Sequence, residues 1–394
     1  MAIHPSGIDL ITATAQPRAY WSADKALHAA AAPGSPPVRG EIQIRPAPWT
    51  LEVYGTMDCN VACTHCNADQ RNHAYGLAEM PVEMMERLHA SIAAMGVRGV
   101  QYCGGGEPLL WNGGRIADFI AALPRETTRA GMASNMTMGK ALARPDVLDR
   151  MVFVETAVFA YDDASYEAVA HVKNGQSRME KAVRAVLAAR ESAGLSTPAV
   201  NAKVIINSTN YRWLRQIYVW AENVGFDSIH LRLADDYERT DGDFVLDRRQ
   251  RDEFRADLEA FGAERGLTEW VEKAALIVGD DNKGVVGDHT WCWTVATGVN
   301  CWVLANGEVY VCGPQWGSEQ YLIGDLRHRD LEGIWGGEQH RQVARRLIAN
   351  MGLTRCFAMG CRHIKQSMAV DAWTAGEVTP PAAEAFEQQH AWFL

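Results

Sequence analysis

Much of what this sequence does not contain is informative. No apolar stretch reaches the ~20 residues that a membrane-spanning helix needs, so no membrane association is expected. The opening MAIHPSGIDLITATAQPRAY has no basic start followed by a long apolar run, so a secretory signal is not expected and the cytoplasm is. A basic surplus is missing too. Lys and Arg number 38 against 48 Asp and Glu, a formal charge of −10, which argues against a nucleic-acid partner because phosphate binding needs a dense basic surface. No internal repeat is found. Cysteine, by contrast, is plentiful: nine residues, an odd count gathered in tight groups. In a non-secreted chain that pattern favours metal ligation over disulfides.

The chain has 394 residues, long for one core, which suggests two domains or one enlarged domain. Residues 1–48 form an Ala/Pro-rich extension, with AAAAPGSPP at 29–37 as an extended connector. Strand-like runs follow at 50–54, 97–103, 151–159, 199–206 and 227–233, with a weaker one near 129–134. Between them lie helical stripes. Val82, Met85, Leu88, Ile92 and Met95 share one face between Pro81 and Gly96. Met179, Val183, Val186 and Leu187 form a second stripe, and Leu214, Ile217, Ala221 and Val224 a third. Strands alternating with such helices imply βαβ units and a parallel sheet over 49–236, with room for six units in an open or partial barrel. A charged connector with one helix at 248–265 occupies 237–290. The remainder, 291–394, is a smaller domain whose NCWVLANGEVYVC at 300–312 predicts a hairpin turning at Asn306-Gly307, followed by a helix at about 338–350.

Directly after the first strand stands Cys59-Asn60-Val61-Ala62-Cys63-Thr64-His65-Cys66. Three thiolates within eight residues can wrap one corner of an iron–sulfur cube. Three ligands for four irons leave one iron open for a substrate. A zinc loop or a redox cysteine pair is the plainer alternative. Zinc usually takes four ligands in two pairs, and His65 could complete the set only with strain in so short a loop.

The spacing of three residues and then two resembles the signature of the radical S-adenosylmethionine (SAM) superfamily. That resemblance implies a partial (β/α)6 TIM-like barrel with the cysteine loop at its mouth. Cys59, Cys63 and Cys66 would then hold a [4Fe–4S] cluster that binds and cleaves SAM. His65 occupies the position at which the family usually places an aromatic residue near the adenine. Cys103-Gly104-Gly105-Gly106-Glu107-Pro108 resembles the family's Gly-Gly-Glu motif; Gly105, Gly106 and Glu107 would receive the amino group of SAM, since glycine permits close approach and a carboxylate pairs with an ammonium. Ser134-Asn135, at the end of the third strand, is similar to the family's ribose contact at Asn135, although Asn is also a common turn residue.

Cys292, Cys301, Cys312, Cys356 and Cys361 lie in the last third. Fourteen residues separate Cys292 from Gly307 and four more precede Cys312, which resembles the start of the SPASM or twitch extension of radical SAM enzymes. Gly324-Asp325-Leu326 and Ile334-Trp335 also resemble its linking segment. A full SPASM tail carries more cysteines, so the resemblance implies one auxiliary [4Fe–4S] cluster on Cys292, Cys312, Cys356 and Cys361, with Cys301 competing for the place of Cys292. Four cysteines also suit structural zinc. Cys103 and Cys301 are otherwise small buried hydrophobes. A sharper possibility is that one of them, Cys103 above all, gives a hydrogen atom to a substrate radical.

Asn201 and Lys203 on the fifth strand, and His230 and Arg232 on the sixth, alternate with apolar neighbours; with Glu155 on the fourth they should face the lumen. Such a stripe suits a hydroxylated or anionic ligand, including SAM's own carboxylate at Asn201, or else a merely wet, salt-bridged barrel mouth. The implied activity is oxidation or dehydrogenation of a polar small molecule (a sugar, cyclitol or nucleoside of natural-product or antibiotic biosynthesis), with epimerisation or decarboxylation as variants. Flavodoxin or ferredoxin would supply electrons. The alternatives are a maturase acting on a ribosomal precursor peptide and a non-catalytic, zinc-stabilised binding protein.

Overall fold

The computed structural model describes residues 37–66, 79–234, 242–268, 271, 291–350 and 363–378. Strand β1 (Thr50–Val53) leads into helix α1 (Val82–Met95), β2 (Gly99–Tyr102), α2 (Ile116–Ala121), β3 (Arg129–Ser134), α3 (Pro145–Leu148) and β4 (Met151–Val158). Helices α4 (Asp163–Ala170) and α5 (Gly175–Ser192) precede β5 (Ala199–Ile206), and α6 (Leu214–Val224) precedes β6 (Ser228–Leu233). The weak third strand is therefore real. α1 begins after Pro81, whose missing N–H costs nothing at a helix start, and ends at Gly96 in the left-handed conformation. Its predicted stripe is buried at Met85, Leu88 and Ile92.

The six strands are parallel in the order β1 to β6, each joined to the next by a helical crossover. One face is apolar and packs on the helices, as Leu51, Val100, Met132, Val154, Val200 and Ile229 do. Burying each of the larger side chains contributes about 1.5–3 kcal/mol. The opposite face carries the polar residues. This is the α/β partial barrel that the alternation predicts.

Helix α7 (Arg248–Arg265) opens with a capping box between Asp247 and Gln250 and buries Phe254, Leu258 and Phe261. Further along come α8 (Trp293–Thr297), β7 (Asn300–Val303), β8 (Glu308–Tyr310), β9 (Leu322–Asp325), α9 (Leu331–Ile334), α10 (Glu338–Ala349) and α11 (His363–Thr374). The β7–β8 hairpin turns at Asn306-Gly307, where Gly307 has φ 91°. A finding the sequence did not foreshadow is that β7 pairs parallel with β1, Thr50 opposite Asn300 and Val53 opposite Val303. One nine-stranded sheet, in the order β6-β5-β4-β3-β2-β1-β7-β8-β9, thus runs through both cysteine-bearing regions. Among the described residues no helix is long and apolar enough to cross a membrane.

Candidate active site

The cysteine loop leaves the C-terminal end of β1 and is pinned to the end of α4. Ala62 N donates to Ala170 O at 3.0 Å and Thr64 N to Val169 O at 3.0 Å. A tight turn, Cys66 N to Cys63 O at 3.0 Å, then brings the third cysteine round. Burial and the neighbouring Cys66 and Cys59 sulfurs push the Cys63 thiol well above its ordinary range. Clustered thiols that resist ionisation on their own suit a cation that displaces their protons. Among the described residues no three His, Cys, Asp or Glu converge as ligands of a single metal ion would. Thiolates on a cube each hold a different iron and need not meet at a point. The donor set therefore fits a cluster.

The Gly-rich turn after β2 is laid directly on this loop. Gly106 N donates to Thr56 O at 3.1 Å and Glu107 N to Asp58 O at 2.8 Å. A Cβ on Gly106 would fall 1.9 Å from Asp58 O, so only glycine allows the two segments to touch. Glu107 is held by the ends of β2 and β3. It is buried, and its oxygens accept from Ser134 Oγ at 2.7 Å, Asn135 N at 2.8 Å and Leu109 N at 3.0 Å. Burial raises its pKa while these three donors oppose the shift. The carboxylate thereby binds the end of β2 to the end of β3.

Asn135 is fixed in turn. Its Nδ2 donates to Asn60 Oδ1 at 2.8 Å and lies 3.9 Å from Cys59 Sγ, while its Oδ1 accepts from Thr137 N at 2.9 Å and Thr137 Oγ1 at 2.7 Å. Asn60 Nδ2 donates back to Thr137 Oγ1 at 2.8 Å. Asn60 and Thr137 were not singled out from the sequence, though both lie within two residues of a recognised motif residue. His65 points to another unrecognised residue: its Nδ1 lies 3.1 Å from Asn207 Nδ2, just past the end of β5. The imidazole sits edge-on to Phe159 at 5.4 Å, and burial lowers its pKa to about 4. An asparagine closing a central strand was the available signal.

On the lumen face, register aligns Ala133, Glu155, Asn201 and Ser228 across β3 to β6, and above them Ala157, Lys203 and His230. Glu155, fully buried, receives Lys203 Nζ at 3.0 Å, and His230 Nε2 lies 3.9 Å from its other oxygen. Ala133, Ala157, Lys203, Ile205 and Arg232 are all half-buried, so this face opens towards the C-terminal ends of the strands. Asn201 stands lower, early in β5 and fully buried, where its Oδ1 accepts from Ser228 Oγ at 2.6 Å. It is separated from the mouth by the Lys203 layer. Cys103 is buried at the end of β2, its Sγ 3.4 Å from Glu52 Oε2. Glu52 is a lumen carboxylate that the sequence reading missed, since a single acid in TLEV gives no alternation to read.

In the second cysteine region, Cys301 lies fully buried beside Leu51 on the apolar face, where burial raises its pKa. Cys292 is half-buried at the start of α8, and Cys312 follows β8. Trp302 packs under Gly313, next to Cys312. Cys356 and Cys361 lie outside the described residues.

Residues 292–371 match the SPASM family, an iron-sulfur cluster-binding domain. Comparison with curated protein sequences finds no match. Solved structures share the fold at low identity. SuiB of Streptococcus suis, crystallised with precursor peptide SuiA, is 14% identical over 76% of this chain and 67% of its own, with a TM-score of 0.52. The enzyme anSMEcpe with bound AdoMet is 14% identical over 84% of this chain and 97% of its own, with a TM-score of 0.53. BtrN in complex with AdoMet and 2-DOIA reaches a TM-score of only 0.37 at 12% identity, covering 78% of this chain and 90% of its own, too slight a likeness to argue from.

Proposed function

We propose, from the premise that this chain is a radical SAM enzyme with a SPASM auxiliary-cluster domain, that it oxidises a polar small molecule seated in the lumen above Ala133. The observation that carries this reading is the buried Glu155–Lys203 pair with His230 beside it, on a face that opens at Lys203, Ala157 and Arg232. Burying a carboxylate this deeply is costly unless it is paired, and an open, charged floor of this kind complements hydroxyl or anionic groups.

When bound on Cys59, Cys63 and Cys66, the cluster and SAM supply a 5′-deoxyadenosyl radical able to take a hydrogen atom from an unactivated C–H bond. Asn60, Asn135, Thr137 and Glu107 hold the mouth rigid around that chemistry. Lys203 and Arg232 orient the substrate's polar groups. His230, supported by Glu155, accepts the hydroxyl proton as a C–OH centre becomes a carbonyl. Cys292, Cys312, Cys356 and Cys361 would hold an auxiliary cluster as acceptor of the second electron. Hydrogen atom, proton and electron then balance a two-electron oxidation.

Anaerobic reconstitution with iron, sulfide, reductant and SAM tests this reading through release of 5′-deoxyadenosine. A polyol, aminocyclitol or nucleoside should stimulate release and be consumed, and a Lys203→Met variant should lose that response. Failure to cleave SAM with all three loop cysteines intact overturns the reading, and a colourless, zinc-loaded protein favours a binding role.

A second reading, maturation of a peptide, is supported by the two fold relatives with TM-scores above 0.5. SuiB was crystallised with a precursor peptide and anSMEcpe with the Kp18Cys peptide. Stimulation by peptides alone would establish it in place of the first.

A further inference from the structure

The geometry points to Asn207 as the residue that sets the tautomer of His65, making His65 a donor of one N–H to an acceptor nitrogen of a purine held beside the cysteine loop. The identity of that purine rests on the SAM reading above; the tautomer does not.

Asn207 is fully buried, and its amide has one tenable orientation. Its Oδ1 accepts from Thr209 N at 2.9 Å and Asn210 N at 3.1 Å. Turning the amide over would set its NH2 against two backbone N–H groups and lose both bonds. The backbone around it is equally constrained. Asn207 N donates to Asn210 Oδ1 at 2.8 Å, and Asn210 Nδ2 donates to Phe159 O at 3.0 Å and Ile205 O at 2.8 Å. The atom facing His65 Nδ1 at 3.1 Å is therefore Nδ2, which can only donate.

His65 Nδ1 must then offer its lone pair, and a neutral ring with Nδ1 bare carries its proton on Nε2. No other hydrogen bond to this ring occurs among the described residues, and the residue is 7% exposed. That leaves the Nε2–H available to a ligand that can accept from it. Purine ring nitrogens are such acceptors. The opposite tautomer would set lone pair against lone pair. Asn207 thus acts as a positioning residue, 142 positions from the ring it orients.

Equilibrium dialysis of the oxidised holoenzyme, at pH 8.5 so that the ring stays neutral, compares SAM with its 1-deaza, 3-deaza and 7-deaza adenine analogues. The wild type should bind one of the three about three- to tenfold more weakly than SAM, the worth of one neutral hydrogen bond. His65→Phe, which keeps an aromatic ring, should lose that discrimination. Asn207→Asp, whose second oxygen accepts from Nδ1–H and leaves Nε2 bare, should lose it as well. The double variant should bind SAM no more weakly than His65→Phe alone.

Equal binding of all three analogues by the wild type overturns the proposal, as does retained discrimination in an iron-loaded Asn207→Asp protein. Independently of that variant's folding, 15N NMR of histidine-labelled holoenzyme should find His65 Nδ1 unprotonated, and a protonated Nδ1 is equally fatal. Should the wild type bind no SAM at all, the functional reading fails, while the NMR experiment still decides the tautomer.

Discussion

The two cysteine-bearing regions share one sheet but are held by different physics. Around Cys59, Cys63 and Cys66 the support is directional: buried Glu107, Asn135, Asn60 and Thr137 link three strand ends through short hydrogen bonds. Around Cys292 and Cys312 the support is mainly apolar, with Trp291, Trp293, Trp302 and Trp316 all buried. A site that must admit a polar ligand cannot be sealed with hydrocarbon, so its geometry has to come from polar bonds that survive near water. The second region is embedded in dry packing instead. Such packing tolerates little change in volume but needs no precise donor or acceptor pattern.

The sharpest way to break this contrast is at the loop. Cys63→Ala should abolish SAM cleavage and remove about four irons per chain, while the second region keeps its own, as counted by iron assay and electron paramagnetic resonance. In the apolar region, Cys312→Ser should likewise remove the auxiliary iron. Cys301→Ser should leave iron content unchanged and instead cost about 1–3 kcal/mol in denaturant unfolding, because it buries a hydroxyl on an apolar face. Iron loss in Cys301→Ser but not in a Cys292→Ser counterpart would reverse the assignment.

The lumen pair lies on β4 and β5, on the far side of β1 from the second region. Lys203→Met strands the Glu155 carboxylate and should destabilise the fold by about 3 kcal/mol. Adding Glu155→Gln should restore most of that stability without restoring substrate-stimulated turnover, which separates folding from function. A double variant that regains turnover would remove these residues from the substrate site.

The smallest effect concerns pH. His340 is fully buried against Trp335, accepts from Gly336 N through Nδ1 at 3.1 Å, and has its pKa lowered from 6.5 to about 4 by burial. The unfolded chain therefore binds a proton that the folded one refuses between those values. Stability should fall as pH drops through that window, by about 2 kcal/mol at pH 5 relative to neutral. His340→Gln should show a correspondingly smaller loss between pH 7 and pH 5.

Most of the barrel was legible because its strands are short apolar runs closed by turn residues and its helices carry unbroken stripes. Asn201, Lys203, His230 and Arg232 declared their face by alternation, since residues two apart must share a side of the sheet. Other features left no local trace. Neither β1 nor β7 carries a mark of being the other's parallel neighbour, because pairing across 250 residues obeys the backbone rather than the side chains. The inward turn of Glu107 depends on donors that only the end of β3 supplies. Its place in a Gly-Gly-Glu motif implied an ammonium partner, with no sign of these donors. Likewise the bond between His65 and Asn207 exists because β5 ends beside the cysteine loop.

What the sequence determined by itself is a kind of chemistry and its order along the chain: a three-thiol loop after the first strand, a glycine turn after the second, and a second cysteine group near the end. Spacing within a short loop dictates which atoms can reach one another, so such motifs carry their meaning locally. Tertiary structure alone decided which of those residues are enclosed in hydrogen bonds and which lie on an open face. Burial and hydrogen-bond direction belong to the packed chain, and no single segment specifies either.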